Sequence, residues 1–178
     1  LSQSWGEGRA SKTQIWVQPP GTPAVGLAFL KAHAATGEKY YLDGAVAAGE
    51  GLLHGQLESG GFMNHVDFDP AGKLTGKYRN GKGNPKGRNV SSLDDGQTQT
   101  AFQFLMELDK VLEFKHEKIH EAITFGMGKL LEAQFPNGAF PQGWAKAAED
   151  HPVVKAKFPE YEWKTFEKGT YHKTYYKY

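Results

Sequence analysis

Two adjacent carboxylates, Asp94 and Asp95, stand immediately before Gly96 and the start of an expected helix. Calcium prefers about six to eight oxygen ligands, and closely spaced carboxylates suit it. A divalent cation held there can act as a Lewis acid towards an acidic substrate. We therefore predict that Asp94 and Asp95 form a metal site. The alternative is that Asp94 only caps the helix that Gly96 opens, which is a common role for Asp before a helix.

A second candidate site is a glycine-bearing basic loop at about residues 70–92, which contains no acidic residue. Its six cations are Lys73, Lys77, Arg79, Lys82, Lys86 and Arg88. Since the whole chain has a formal net charge of only +1, the loop is a local patch on a nearly neutral protein. Such a patch suits a polyanion, for which we predict contacts from Arg79, Lys82 and Arg88, while Tyr78 could stack on a sugar face. A solvated surface loop explains the same charges equally well.

Two further groups of polar residues have weaker chemical interpretations. His116 and His120 are four residues apart, so on a helix they share a face and could hold zinc, but no third ligand accompanies them in a recognised order. Residues 65–69 (HVDFD) combine an imidazole, carboxylates and an aromatic ring after a Gly-Gly-Phe turn. That combination is typical of a sugar-binding rim, although a turn packed with polar side chains accounts for it equally well.

The elements that must position these residues repeat along the chain. Residues 52–62 and 130–140 share the pattern Leu-Leu-x-x-Gln-x-x-x-Gly-x-Phe at a spacing of 78. Upstream, residues 21–30 and 96–105 share a Gly and a Phe-Leu pair at a spacing of 75. Apolar residues recur at helical spacing on both sides of a polar break in each unit, which predicts two helical hairpins. We call the Gln-x-x-x-Gly-x-Phe part of this pattern the tail of each unit. In each tail we expect the Gln to cap backbone groups at the helix end, the Gly to adopt a positive φ and the aromatic ring to pack back onto the hairpin.

These patterns predict an all-α fold in which helical hairpins are joined by long loops. We place the repeat units at about residues 20–70 and 95–144, with the basic loop between them and an aromatic tail at 145–178. Pro19-Pro20 and Ser91-Ser92 precede the first helix of each unit, as helix starts and caps should. Because repeat units bury their ends against neighbours, two hairpins alone leave apolar ends uncovered. We therefore expect a second chain or further sequence to pack against them.

Residues 93–100 (LDDGQTQT), followed by Phe104-Leu105, and residues 130–142 (LLEAQFPNGAFPQ) resemble the family 10 pectate lyases. That family carries an Asp-Asn-Gly before a Thr-rich helix start and an Ala-Gln-x-Pro-Asn-Gly-Gly-Trp-Pro-Gln run. The resemblance is strongest over residues 91–144. Asp95 stands where the family usually has Asn, and Ala139-Phe140 replaces Gly-Trp, so details of substrate binding are expected to differ.

The resemblance implies an (α/α) toroid whose central groove binds polygalacturonate, and calcium-assisted β-elimination with an arginine as the base. It also implies that Asn137 and Gln142 contact the substrate and that the protein is extracellular or periplasmic. In the family, a metal-binding Asp and the catalytic Arg lie in the second half. The toroid is therefore expected to be incomplete in this chain, with the catalytic base outside it. No catalytic residue is assigned here, and the chain alone is expected to be inactive.

Composition excludes several other classes of function. The chain has no cysteine, so disulfides and thiolate metal sites are absent. Its charge balance favours no nucleic-acid partner, no apolar run approaches the roughly 18 residues of a membrane span, and no phosphate loop or dinucleotide fingerprint is present.

The main rival interpretation is a non-catalytic glycan-binding or assembly subunit with the same toroid. A terpenoid-cyclase-like toroid is a third possibility, but no Asp-x-Asp-Asp-type motif supports it.

Overall fold

The computed structural model describes residues 4–5 and 8–149, so all of the predicted aromatic tail beyond residue 149 lies outside the described residues. The described part is mostly helical, as the sequence predicts. Its helices are α1 (Thr22–Thr36), α2 (Lys39–His54), α3 (Gln97–Val111) and α4 (Glu117–Glu132). Its short strands are β1 (Ser4–Trp5), β2 (Gly8–Arg9), β3 (Gln14–Trp16), β4 (His65–Asp67), β5 (Ser91–Ser92) and β6 (Gly143–Trp144).

Both helical hairpins are present, but their connections differ. α1 ends at Gly37, which has a left-handed φ of 73° and donates its N–H to the His33 carbonyl. Helix α2 then begins at once. The link between α3 and α4 is longer, and it contains two non-glycine residues of positive φ, Glu113 and Phe114. His116 ends this link by accepting a hydrogen bond from the Ile119 N–H, which makes it the N-cap of α4.

The repeated tails fold alike at the backbone level. Gln56 Nε2 and Gln134 Nε2 each donate a 2.8 Å hydrogen bond to the carbonyl of the glycine four residues on, Gly60 or Gly138. Those glycines have φ values of 100° and 86°, as expected for this turn. The Gln therefore closes the turn that follows the helix, whereas the sequence analysis assigned it to the helix end.

The aromatic residue of the tail docks in the first unit only. Phe62 is fully buried and meets Phe102 edge-on, with ring centroids 5.7 Å apart. Phe140, its equivalent, is 41% exposed. The first tail is covered by the second unit, whereas no described element covers the second tail. The expected docking is thus confirmed for Phe62 and wrong for Phe140 within residues 8–149.

Short antiparallel strand pairs close each unit, a feature that the sequence analysis missed. β3 pairs with β4, with Trp16 opposite His65, and β5 pairs with β6, with Ser92 opposite Gly143. The strands have two or three residues each, too few to show an alternating pattern. Ser91 and Ser92 lie in β5, so the expectation that they cap a helix is wrong. Each unit is therefore a strand, a helical hairpin, a tight turn and a second strand.

The two units share one core, and α3 lies at its centre. Phe104, Leu105 and Leu108 of α3 are fully buried. A Cβ placed on Gly26 of α1 would lie 2.2 Å from the Phe104 ring, so the backbone of α1 packs directly onto it. In the described part of the chain, no helix is long and apolar enough to cross a membrane.

Candidate functional site

Asp94 and Asp95 lie in a single 3-10 turn, Asp94–Gly96, between β5 and α3. Asp95 has a left-handed φ of 47° and Gly96 one of 72°. Asp and Gly are among the residues that tolerate this conformation. Both carboxylates project from the turn and are exposed.

The structure decides against the capping alternative for Asp94. The N-cap of α3 is Gly96, and neither the 3-10 turn nor α3 has a side-chain cap. Instead, the Asp94 N–H donates to Ser92 Oγ at 3.1 Å, and the Asp94 carbonyl accepts from the Gln97 N–H. The backbone of Asp94 therefore fixes the turn, and its carboxylate is left for another partner.

The two aspartates share a cleft of about 210 Å³ with Arg88 of the basic loop and with Asn64 and Ser92. Within residues 8–149, neither aspartate lies within 4.0 Å of a cationic nitrogen, and Arg88 has no carboxylate within that distance. Uncompensated charges of both signs thus face one cavity. This arrangement suits a cation together with an anionic group.

Gln18 also contributes to this site. It follows β3, and its Nε2 donates a 2.9 Å hydrogen bond to Asp95 Oδ2, while its Oε1 is buried without a hydrogen-bond partner. The sequence repeat does not single out Gln18, because its spacing of 75 aligns Gln18 with Leu93. In the first unit, the Val17 N–H donates a 2.8 Å hydrogen bond to the Asn64 carbonyl. In the second unit, the Leu93 N–H donates an equivalent bond of 2.7 Å to the Gln142 carbonyl. Gln18 follows Val17, and Asp94 follows Leu93. Gln18 therefore occupies the same position in the first unit as Asp94 does in the second.

The sequence model of pectic acid lyase matches residues 56–155, which is more than half of the chain and includes every residue that lines this cleft. The chain belongs to the pectic acid lyase family. Neither the curated proteins nor the solved structures give a match. The chain is accordingly of the polysaccharide-lyase kind, and the resemblance found in residues 91–144 is confirmed.

The predicted substrate contacts of the second tail, Asn137 and Gln142, lie apart from each other. Gln142 has an exposed side chain, and its carbonyl bonds the N–H of Leu93, so its backbone lies beside the Asp94 turn. Asn137 instead uses its Oδ1 to accept the N–H of Ala139 at 3.0 Å. Neither residue lines the Asp94 cleft. Their contact with substrate stays a prediction.

The cations of the basic loop line two different clefts. Arg88 lies with the aspartates, whereas Arg79 and Lys82 line a larger cleft of about 450 Å³. Arg79 also forms an ion pair with Glu121 and lies 4.4 Å from the centroid of the Phe125 ring. The three cations predicted to bind one polyanion are therefore not contiguous.

Tyr78 cannot stack on a sugar in this fold, so that expectation is wrong. The residue is 2% exposed, and its hydroxyl accepts the Asp67 N–H at 2.8 Å. Burial raises the pKa of Tyr78, with a smaller upward effect from the Asp67 carboxylate, while hydrogen bonds to the backbone oppose the shift. Tyr78 is a structural residue that anchors the basic loop to β4.

The polar segment 65–69 is explained by structure. Asp67 is 3% exposed, and its carboxylate accepts hydrogen bonds from Thr13 Oγ1 at 2.9 Å and Gln14 Nε2 at 2.7 Å. Burial by itself would raise the pKa of Asp67, but the hydrogen bonds from Gln14, from the Asp69 N–H and from Thr13 outweigh it and hold the pKa below its ordinary value. Asp67 therefore ties β3 to β4.

The histidine pair is also engaged elsewhere. His116 caps α4 and lies 3.7 Å from a Glu50 oxygen, and His120 Nδ1 lies 2.8 Å from Asp109 Oδ2. Within the described part of the chain, no group of three or more His, Cys, Asp or Glu side chains could hold a metal. The zinc interpretation therefore has no support. Asp94 and Asp95 belong to no such group among the described residues, and their role as metal ligands stays a prediction.

Proposed function

We propose that this protein is part of a lyase that cleaves a uronic-acid polymer, such as polygalacturonate, by calcium-assisted β-elimination. The observation that carries the proposal is the cleft in which the exposed carboxylates of Asp94 and Asp95 face Arg88. It lies within the segment that matches the pectic acid lyase family. A localisation outside the cytoplasm, extracellular or periplasmic, belongs to the same proposal because the polymer is found there.

The donors around the cleft fit calcium in kind. Asp94 and Asp95 offer carboxylate oxygens, and Ser92 offers a hydroxyl oxygen in the same cavity, whereas Asn64 Oδ1 is already hydrogen-bonded to His65 Nδ1 at 2.6 Å. Calcium takes oxygen ligands in flexible geometry, so substrate carboxylate and water can complete such a set. When bound, calcium would draw charge from the uronate carboxylate and so make the neighbouring C5 proton more acidic.

The residues of this chain would bind and orient the substrate. Arg88 would pair with a uronate carboxylate, because a guanidinium matches a carboxylate with two parallel hydrogen bonds. Elimination then requires a base to take the C5 proton while the C4–O4 bond breaks, leaving a C4–C5 double bond on one fragment and a protonated O4 on the other. The resemblance implies an arginine as base, and Arg88, the arginine that lines this cleft, is assigned here to the substrate carboxylate. The proposal therefore places the base outside this chain.

The same proposal includes a ring that extends beyond these two hairpins. Val25 of α1 is 49% exposed, and Met106 and Val111 of α3 are 39% and 41% exposed. Apolar side chains on neighbouring helices favour a further element packed on them. The rest of an (α/α) toroid, supplied by further sequence or by a second chain, would cover them and bring the base.

The test is the ultraviolet absorbance of the unsaturated uronate product, measured with polygalacturonate and calcium. It is applied to the chain itself and to the intact natural protein. We expect product from the intact protein, loss of product on adding a chelator, and at least a tenfold lower rate in the Asp94→Asn and Asp95→Ala variants. Unchanged rates in both variants would refute the metal site.

A second candidate function is glycan binding without catalysis. It is favoured by one observation, that within the described residues Asp94 and Asp95 belong to no group of three or more His, Cys, Asp or Glu side chains that could hold a metal. Binding of oligogalacturonate by the intact protein without any unsaturated product would establish this alternative and reject the lyase.

A further inference from the structure

The larger cleft, of about 450 Å³, lies between the C-terminal part of α2, the first half of α4 and the basic loop. It shares no lining residue with the Asp94 cleft. Its volume lies within the range of roughly 300 to 1,000 Å³ that is typical of small-ligand sites. It is therefore large enough to be a separate binding site.

Three cations and two carboxylates, Glu50 and Glu121, line this cleft, so its lining has a formal excess of one positive charge. Arg79 is paired with Glu121 and held over Phe125, so it forms a fixed wall. Lys82 and Lys118 line the same cleft, and neither forms an ion pair with any residue between 8 and 149. Two ammonium groups are thus available to an anionic ligand.

The floor of the cleft holds polar atoms without partners. Gln56 is 1% exposed, and its Nε2 donates to the carbonyls of Gly60 and Ala122, both at 2.8 Å. Those two bonds fix the orientation of the amide, and they leave Oε1 buried without a hydrogen bond. His54 Nε2 is buried and unpartnered in the same way. Since buried polar atoms are nearly always hydrogen-bonded, a ligand hydroxyl or a bridging water in the cleft that both residues line would supply the missing partners.

His54 presents a neutral ring to the cleft. Burial lowers its pKa, and the charge of Lys82 lowers it further. A neutral imidazole has one N–H donor and one acceptor nitrogen. His54 therefore adds hydrogen-bonding capacity without adding charge, and the attraction for anions comes from the two lysines.

We propose that this cleft is a second binding subsite for a uronic-acid residue, in which Lys82 and Lys118 bind the carboxylate and Gln56 and His54 receive the sugar hydroxyls. The ligand class follows from the combination of two cations at the rim with hydrogen-bonding groups at the floor. The choice of a uronate rather than another hydroxylated carboxylate rests on the proposed function. Because the subsite contains no metal ligand of the Asp94 cleft, it binds in the absence of calcium.

The test is calorimetric titration of the full chain with trigalacturonate in the presence of a chelator. Lys82→Glu combined with Lys118→Glu is compared with a control of the same charge change, Lys12→Glu combined with Lys31→Glu, in which both exposed lysines lie away from the cleft. We expect at least tenfold weaker binding in the first variant and less than a twofold change in the second. Thermal unfolding of both variants checks that the fold is retained.

Equal affinity in the two double variants, or no calcium-free binding by the unchanged chain, would overturn the subsite. The Asp94→Asn and Asp95→Ala variants separate this result from the proposed function. They should lose calcium-dependent cleavage by the intact protein and keep calcium-free binding. If cleavage is lost in them while the lysine variants bind normally, the metal site stands and the second subsite falls.

Discussion

Gln18 Nε2 lies 2.9 Å from Asp95 Oδ2, and this hydrogen bond joins the first repeat unit to the candidate metal site in the second. The two residues are 77 positions apart in the sequence. Asp95 has a left-handed φ of 47°. Gln18 thereby restrains one oxygen of a carboxylate that is otherwise exposed.

Replacing Gln18 tests whether that restraint matters for calcium. We expect Gln18→Ala to weaken calcium binding about fivefold, since a hydrogen bond to a charged group contributes on the order of 1 kcal/mol or more. Gln18→Glu should instead add a third carboxylate, which raises the calcium affinity and lowers stability in a chelator through repulsion of Asp95. Calcium titration followed by calorimetry measures both, with the exposed Gln103→Ala on α3 as the control. Equal affinities in all three variants would contradict the restraint.

Two glycines of α4, Gly126 and Gly128, allow the close packing of this helix to be tested with a matched control. A Cβ on Gly126 would lie 2.2 Å from the Phe102 ring and 2.6 Å from the Gly60 carbonyl oxygen, whereas a Cβ on Gly128 meets nothing within 4 Å. We expect Gly126→Ala to lower the free energy of unfolding by about 1 to 3 kcal/mol through overpacking. Gly128→Ala should raise it by about 0.8 kcal/mol through helix propensity. Urea unfolding measures both, and a shift of the same sign in the two variants would refute this packing.

The two tail glutamines should differ in their effect on stability. Gln56 is buried and bonds two carbonyls, one in its own turn and one in α4, whereas Gln134 is only partly buried and bonds one carbonyl in its turn. Gln56→Ala leaves buried acceptors unpaired and is expected to cost about 2 to 3 kcal/mol, against less than about 1 kcal/mol for Gln134→Ala. Chemical unfolding gives the two values. Similar losses would mean that the bond to Ala122 does not stabilise the contact between the units.

Asp67 should make stability depend on pH in the acid range. Its hydrogen bonds hold its pKa below the ordinary value in the folded protein. Its stabilising contribution is therefore fully present above the pKa of the unfolded chain and is lost as the pH falls through the folded pKa. Asp67→Asn should lower the free energy of unfolding at neutral pH. It should also make that free energy fall less steeply as the pH is lowered through the acid range, which urea unfolding at a series of pH values measures. Asp43→Asn, which removes an exposed carboxylate paired with Lys39, serves as the control. If Asp67→Asn leaves the loss of stability at acid pH unchanged, the Asp67 carboxylate does not cause it.

The sequence by itself determined the two helical hairpins, the Gln-x-x-x-Gly turn and the family. These depend on local regularities, namely apolar residues at helical spacing, glycines of positive φ and a fixed order of residue types in residues 130–142. Such signals lie within about a dozen neighbouring residues, so they can be read before the chain folds.

Tertiary structure alone decided which polar residues meet. It placed Arg88 with Asp94 and Asp95, moved Arg79 and Lys82 to another cleft, and buried Tyr78 against β4. The physical reason is that a loop of like charges has no periodicity to show which side chains face together. Their directions are fixed by partners distant in the sequence, such as Glu121 for Arg79 and Gln18 for Asp95, and only the packing of one repeat unit on the other brings those partners into contact.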